Sequence, residues 1–222
     1  MRKPSDLFLF TGDIVNTHAH EMKPWIEAFR KIKSYPYGKF SILGNHDYGE
    51  YAEWNSRQEK EDNFTAIKDL HREVGFQLLL NEHVRLRKGD DELVLLGVEN
   101  WGVNFKKAGD LRKTIQGVQP RDFKILMSHD PSHWEKEVKH HPVDVQLTLS
   151  GHTHGLQFGI EIPGWIKWSP VQYLYKQWAG LYEHQGRVLN VNRGFGFHAY
   201  PGRVGIRPEI TIIELKKGEN HA

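Results

Sequence analysis

The feature that most restricts the fold is a recurring pattern of short apolar runs, each leading at once into a polar turn that carries Asp, Asn or His. Residues 6–11 lead into Gly12-Asp13, and residues 40–43 into Gly44-Asn45-His46-Asp47. Residues 123–127 end in Ser128-His129-Asp130, and residues 145–149 end in Gly151-His152-Thr153-His154. Each run has the length of a buried strand and is too short for a helix. In layered α/β sheets ligands collect beyond the carboxyl ends of strands, where all four turns fall.

The intervening sequence supplies covering elements. Trp25, Ile26, Phe29 and Ile32 recur at helical spacing within 22–33, as do Phe64, Ile67, Leu70 and Val74 within 59–74, so both segments are predicted as helices. Strands are expected at 76–80, 84–87 and 93–98, joined by turns such as Lys88-Gly89-Asp90-Asp91, and two late ones at 187–191 and 209–215. The sum is an α/β layered domain with mixed sheets.

Composition narrows the chemistry. Thirty Lys plus Arg against 28 Asp plus Glu give a net charge of +2, which argues against binding nucleic acid through bulk charge. With no Cys, thiolate nucleophiles, disulfides and Cys-held metals are excluded, so a metal must rest on His, Asp, Glu or Asn. No apolar run approaches the roughly 18 residues of a membrane span, and Met1-Arg2-Lys3-Pro4 lacks a signal-peptide core. The expectation is a cytoplasmic or membrane-peripheral protein. In a turn after Gly151, His152 and His154 can diverge and serve two adjacent ions. His18 and His20 have the same spacing but lie in a polar stretch, and His140-His141 and Asp90-Asp91 read as surface.

Gly-Asp, Gly-Asn-His-Asp, a lone His after a strand and Gly-His-Thr-His, in this order, resemble the calcineurin-like metallophosphoesterases. Gly155, Gln157, Pro163, Gly180-Leu181-Tyr182, Val191-Asn192-Arg193-Gly194 and Arg207-Pro208-Glu209-Ile210 resemble a bacterial branch containing membrane-associated phosphodiesterases and lipid A precursor pyrophosphatases. The resemblance implies a four-layer α/β/β/α sandwich over residues 1–215, with 216–222 as a polar tail. It also implies two divalent ions, Mn, Fe or Zn, that activate a water for attack on a phosphodiester or pyrophosphate. Asp13 would bridge the ions, Asn45, His129 and His152 would complete one site, and His154 would belong to the other. His46 would face the scissile phosphate as general acid or donor, and Asn192 and Arg193 would contact substrate.

The family's opening strand, ending in Asp-x-His, has no counterpart in this sequence. The fold is therefore expected without its first strand, and one metal set is expected to be incomplete, holding Asp13 and His154. N-terminal truncation is the favoured explanation, and a degenerate non-catalytic binding module is the alternative function. A longer form would be membrane-anchored, as relatives of that branch often are. Leu156 stands where the branch commonly has Gly. Residues 160–182 gather Trp165, Trp168, Tyr173, Tyr175, Trp178 and Tyr182 beside Lys167 and Lys176, a composition suited to peripheral contact with a membrane or a lipid-linked substrate.

Overall fold

The computed structural model describes residues 5–162 and 164–218, so Met1 to Pro4, Pro163 and the end of the polar tail lie outside the described residues. Two sheets stack face to face. One is three-stranded and parallel, ordered β1 (Phe8–Phe10), β2 (Lys39–Ser41), β3 (Gln77–Leu78). The other contains β4 (Glu82–Lys88), β5 (Asp91–Gly97), β6 (Phe123–Met127), β7 (Leu147–Ser150), β10 (Gly180–His184) and β11 (Arg187–Val191). Its order is β10-β11-β7-β6-β5-β4, parallel in the middle and antiparallel at both ends. A small hairpin, β8 (Ile160–Ile162) with β9 (Ile166–Trp168), stands apart from both.

Alternation along each strand builds the layers. Leu7 and Leu9 turn inward to meet Ile42, Leu95, Ile125, Met127, Leu147 and Leu149 between the sheets. Phe8 and Phe10 turn outward under helices α1 (Ile26–Arg30) and α2 (Arg57–Glu73). Val94, Leu96, Leu126, Leu189 and Val191 turn to the opposite outer face, where Leu111 of α3 (Leu111–Thr114) and Trp134 of α4 (Pro131–Lys136) cover them. The α/β/β/α order is therefore the one expected, with mixed strand directions.

Helix α2 begins where the Ser56 side chain accepts the Glu59 N–H, a cap followed at the third position by Glu. It ends at Gly75, φ +85°, where the Gly75 and Phe76 N–H groups return to the Arg72 and His71 carbonyls. That closure drives Phe76 into the core and holds His71 beneath it.

Two expected elements differ. The helix over 22–33 is reduced to a 3₁₀ turn at Ala19–Met22 followed by α1 alone. Pro24 has no N–H to continue the ladder, and Trp25, expected on the apolar face, is 56% exposed. The strand over 209–215 does not form, although Ile210, Ile212 and Ile213 carry the apolar pattern. A strand needs a neighbouring backbone edge. Among the described residues the backbone bond that this segment makes, from the Glu209 N–H to the Gly194 carbonyl at 2.9 Å, is too little for a ladder, and side chains tie the rest, Asn192 to Thr211 and Lys217 to Asp91. Among the described residues β1 pairs only with β2 and is one of the two edges of its sheet, β3 being the other.

Candidate metal centre

The loops after β1 and β2 approach each other at two glycines. A Cβ on Gly12, φ +96°, would lie 2.6 Å from the Gly44 nitrogen, and one on Gly44 would lie 2.1 Å from Asp13 Oδ1. Asp47 locks the junction, its buried carboxylate accepting N–H groups from Asp13 (2.9 Å), Ile14 (3.0 Å) and Gly44 (2.8 Å). The Asp13 side chain thereby points across the strand ends, and its Oδ1 accepts the His46 N–H at 3.0 Å.

Four of the expected ligands meet there. His129 Nε2 lies 2.9 Å from Asp13 Oδ2, and His152 Nδ1 lies 3.3 Å from His129 Nε2 and 2.8 Å from Asn45 Oδ1. The surrounding network assigns the hydrogens. His129 Nδ1 donates to the Thr11 carbonyl at 2.7 Å, which leaves a lone pair on Nε2. Asn45 Nδ2 donates to the Tyr51 hydroxyl at 2.7 Å, which turns Oδ1 inward. Tyr175 donates to Asp130, so His152 Nε2 donates to Tyr175 at 2.6 Å and its Nδ1 keeps a lone pair. With His129 neutral, four lone-pair atoms face one another, an arrangement that a cation relieves; without one, a proton on His129 Nε2 bridges it to Asp13. Among the described residues, Asp13, His129 and His152 bring their ligand atoms within 4.8 Å of one another.

Titration in the cation-free cluster shows the same demand. Burial opposes charge on both Asp13 and His129, yet each holds the other ionised: the Asp13 carboxyl falls well below the usual range, and the His129 imidazolium is pushed up to about 9. Burial and the His129 charge push His152 down to about 4, keeping the imidazole neutral. His154, likewise pushed by burial to about 4, leaves Nδ1 buried with no partner among the described residues. It stands beside the cluster, not within it. Asp13, His152 and His154 all have left-handed backbones, with φ of +58°, +69° and +50°, a strain that non-glycine residues adopt where the surroundings force it.

His46 donates from Nδ1 to the Asn16 carbonyl at 2.6 Å and offers Nε2 outward. Asn192 bonds Thr211 Oγ1 and the Gly194 N–H, while the Arg193 guanidinium is held by Glu161 (2.6 Å) and Glu209 (2.7 Å). Both are engaged in fastening the 193–209 chain. His18 and His20 stack on each other, and His18 meets the Trp54 ring edge-on. Of the aromatic segment, Trp178 is buried and Tyr175 reaches His152, whereas Trp165 and Tyr173 are each 77% exposed. Sequence reading missed Tyr51, Tyr175 and Asp47 as supports; only Asp47 carried a signal, its place in Gly-Asn-His-Asp.

The sequence model for calcineurin-like phosphoesterases matches residues 2–156. The chain belongs to that family. Among its relatives is the Bacillus subtilis protein named uncharacterized metallophosphoesterase YkuE, 32% identical over 95% of this chain and 68% of the relative. A Chlamydia muridarum protein named UDP-2,3-diacylglucosamine pyrophosphatase LpxG is 28% identical over 94% of this chain and 73% of its own length. A Bos taurus transmembrane protein with a metallophosphoesterase domain is 27% identical over 95% of this chain and 46% of that protein. This phosphoesterase chain has, among its described residues, no helix long and apolar enough to cross a membrane.

Proposed function

We propose that this chain hydrolyses a phosphodiester or pyrophosphate through a dinuclear metal centre, with lipid-linked substrates as its class. The observation that carries the reading is the set of four converging lone-pair donors, Asp13 Oδ2, Asn45 Oδ1, His129 Nε2 and His152 Nδ1. Their mixture of carboxylate, amide oxygen and imidazole suits Mn²⁺, Fe²⁺ or Zn²⁺. The orphaned Nδ1 of His154 fits a second ion that shares Asp13. Bound ions supply charge neutralisation for phosphate oxygens and a water acidic enough to act as nucleophile near neutral pH.

The chain's own residues do the rest. Asp47 and the paired glycines hold the Asp13 loop against the Asn45 loop. Tyr175 and Thr11 orient His152 and His129. His46, its Nδ1 fixed by Asn16, would present Nε2 to the scissile group as the proton donor to the leaving oxygen. The exposed Trp165, Tyr173, Leu174 and Leu181 are the apolar side chains that would meet a lipid.

A second reading, a binding module on the same fold, is favoured by one observation: among the described residues the ligand atoms that converge belong to one set, Asp13, His129 and His152, and His154 stands outside it. Elemental analysis after exposure to Mn²⁺ and removal of free ion separates the two. About two ions per chain, with turnover of bis-p-nitrophenyl phosphate abolished by Asp13→Ala or His152→Ala, is the expected result. One ion or none, without turnover, would leave the binding role.

A further inference from the structure

We propose that His198 is a further substrate-contacting residue of this centre, donating a hydrogen bond to an oxygen of the phosphoryl group; the inference rests on the phosphoesterase reading above. The His198 ring packs against that of His46, centroids 4.6 Å apart, and lies 6.3 Å from the ring of His154. It therefore lies beside two of the histidines that the phosphoesterase reading places at the site. His198 is exposed, and its ring nitrogens have no hydrogen-bond partner among the described residues, so the imidazole is not spent on holding the fold.

The loop that carries it is built, not slack. Gln157, buried behind His154, accepts the His198 N–H on its side-chain oxygen and donates from Nε2 to the Tyr200 and Gly202 carbonyls, each at 2.6 Å. Arg203 ties the same loop to the Arg193 and Gly196 carbonyls at 2.9 and 2.8 Å, and to the His154 carbonyl at 3.3 Å. Ala199, φ +57°, takes a left-handed turn directly after His198. Six hydrogen bonds and a strained residue thus fix the direction of a side chain that touches little else.

The two imidazoles are chemically complementary. With Nδ1 committed to Asn16, His46 can turn only Nε2 to the site. Neutral His198 has one N–H free and donates without taking up a proton. Phe197 and Tyr200, 47% and 63% exposed on the same loop, flank it with apolar surface on which the organic part of an ester can rest.

Inorganic phosphate is the probe, with calorimetric binding to the Mn²⁺-loaded chain read beside metal content and thermal midpoint. His198→Ala is expected to weaken phosphate binding about tenfold or more, as for loss of a hydrogen bond to a charged group, with His198→Gln retaining part of it. Metal content and midpoint stay at their original values. Equal phosphate affinity in His198→Ala and the original chain overturns the proposal, and so does loss of bound Mn²⁺, which would make His198 a ligand instead. Failure of the original chain to bind phosphate overturns it too. Unaltered phosphate binding in His198→Ala, with turnover intact, would refute the His198 role and leave the phosphoesterase reading standing; absent turnover with tight, His198-dependent phosphate binding would do the reverse.

Discussion

Replacing His71 by Leu should raise stability, and the gain should grow as the pH falls. His71 is fully buried, its ring lies 6.4 Å from those of Phe10 and Phe76, and both ring nitrogens lack a partner among the described residues. Burial pushes its pKa down from 6.5 to about 4. A base that is harder to protonate when folded loses nothing above the unfolded pKa. Below it the unfolded chain takes up the proton first, so stability falls between about 6.5 and 4 and then levels off. At about pH 5 the native chain should have lost about 2 kcal/mol from this residue alone, of about 3 kcal/mol in total. Leu is close in volume and suits a helix, and it removes two unsatisfied polar atoms that cost about 1 kcal/mol or more at any pH. Urea unfolding of both proteins at about pH 7.5 and about pH 5 reads the difference directly, because groups common to both cancel. A difference independent of pH, or a variant less stable at both, would refute the reasoning.

Tyr175→Phe removes the hydroxyl that orients His152 and should weaken Mn²⁺ binding about tenfold or more while leaving the thermal midpoint of the metal-free chain nearly unchanged; metal titration followed by calorimetry checks it. Leu156→Gly should stabilise by about 1 kcal/mol in urea unfolding, since Leu156 has φ +46° and its side chain is 48% exposed, so relief of strain outweighs lost burial. Trp165→Ala combined with Leu174→Ala should reduce sedimentation with phospholipid vesicles, and equal sedimentation would remove the basis for lipid contact.

The strands that carry the ligands were legible because each is a short apolar run with a punctuating turn, and β6 and β11 agree with expectation residue for residue. The meeting of Asp13, Asn45, His129 and His152 was legible for the same reason, since parallel strands deliver their carboxyl ends to one rim. Residues 209–215 were misread because apolar alternation reports the side chains of a strand and says nothing of whether a partner backbone is present. In the 22–33 segment periodicity outweighed a single Pro24 that removes the helical ladder. Tyr175 was seen as one of several aromatics, and only the fold separates it from the exposed Trp165. His198 has no sequence signal, because its placement depends on Gln157 reaching it across some forty residues and on Arg203 holding the Gly196 carbonyl of the same loop.

The left-handed backbone at Asp13, His152 and His154 sets the chain's evolutionary footing. Glycine or asparagine at these positions would relieve roughly 1 kcal/mol each while abolishing a charge or an imidazole. Mutational drift toward a more heat-resistant protein and drift toward an inert one therefore follow the same path. Continued presence of Asp and His at such sites requires a benefit that outweighs the lost robustness. A lineage released from that requirement should be recognisable by a higher melting temperature as well as by missing ligands.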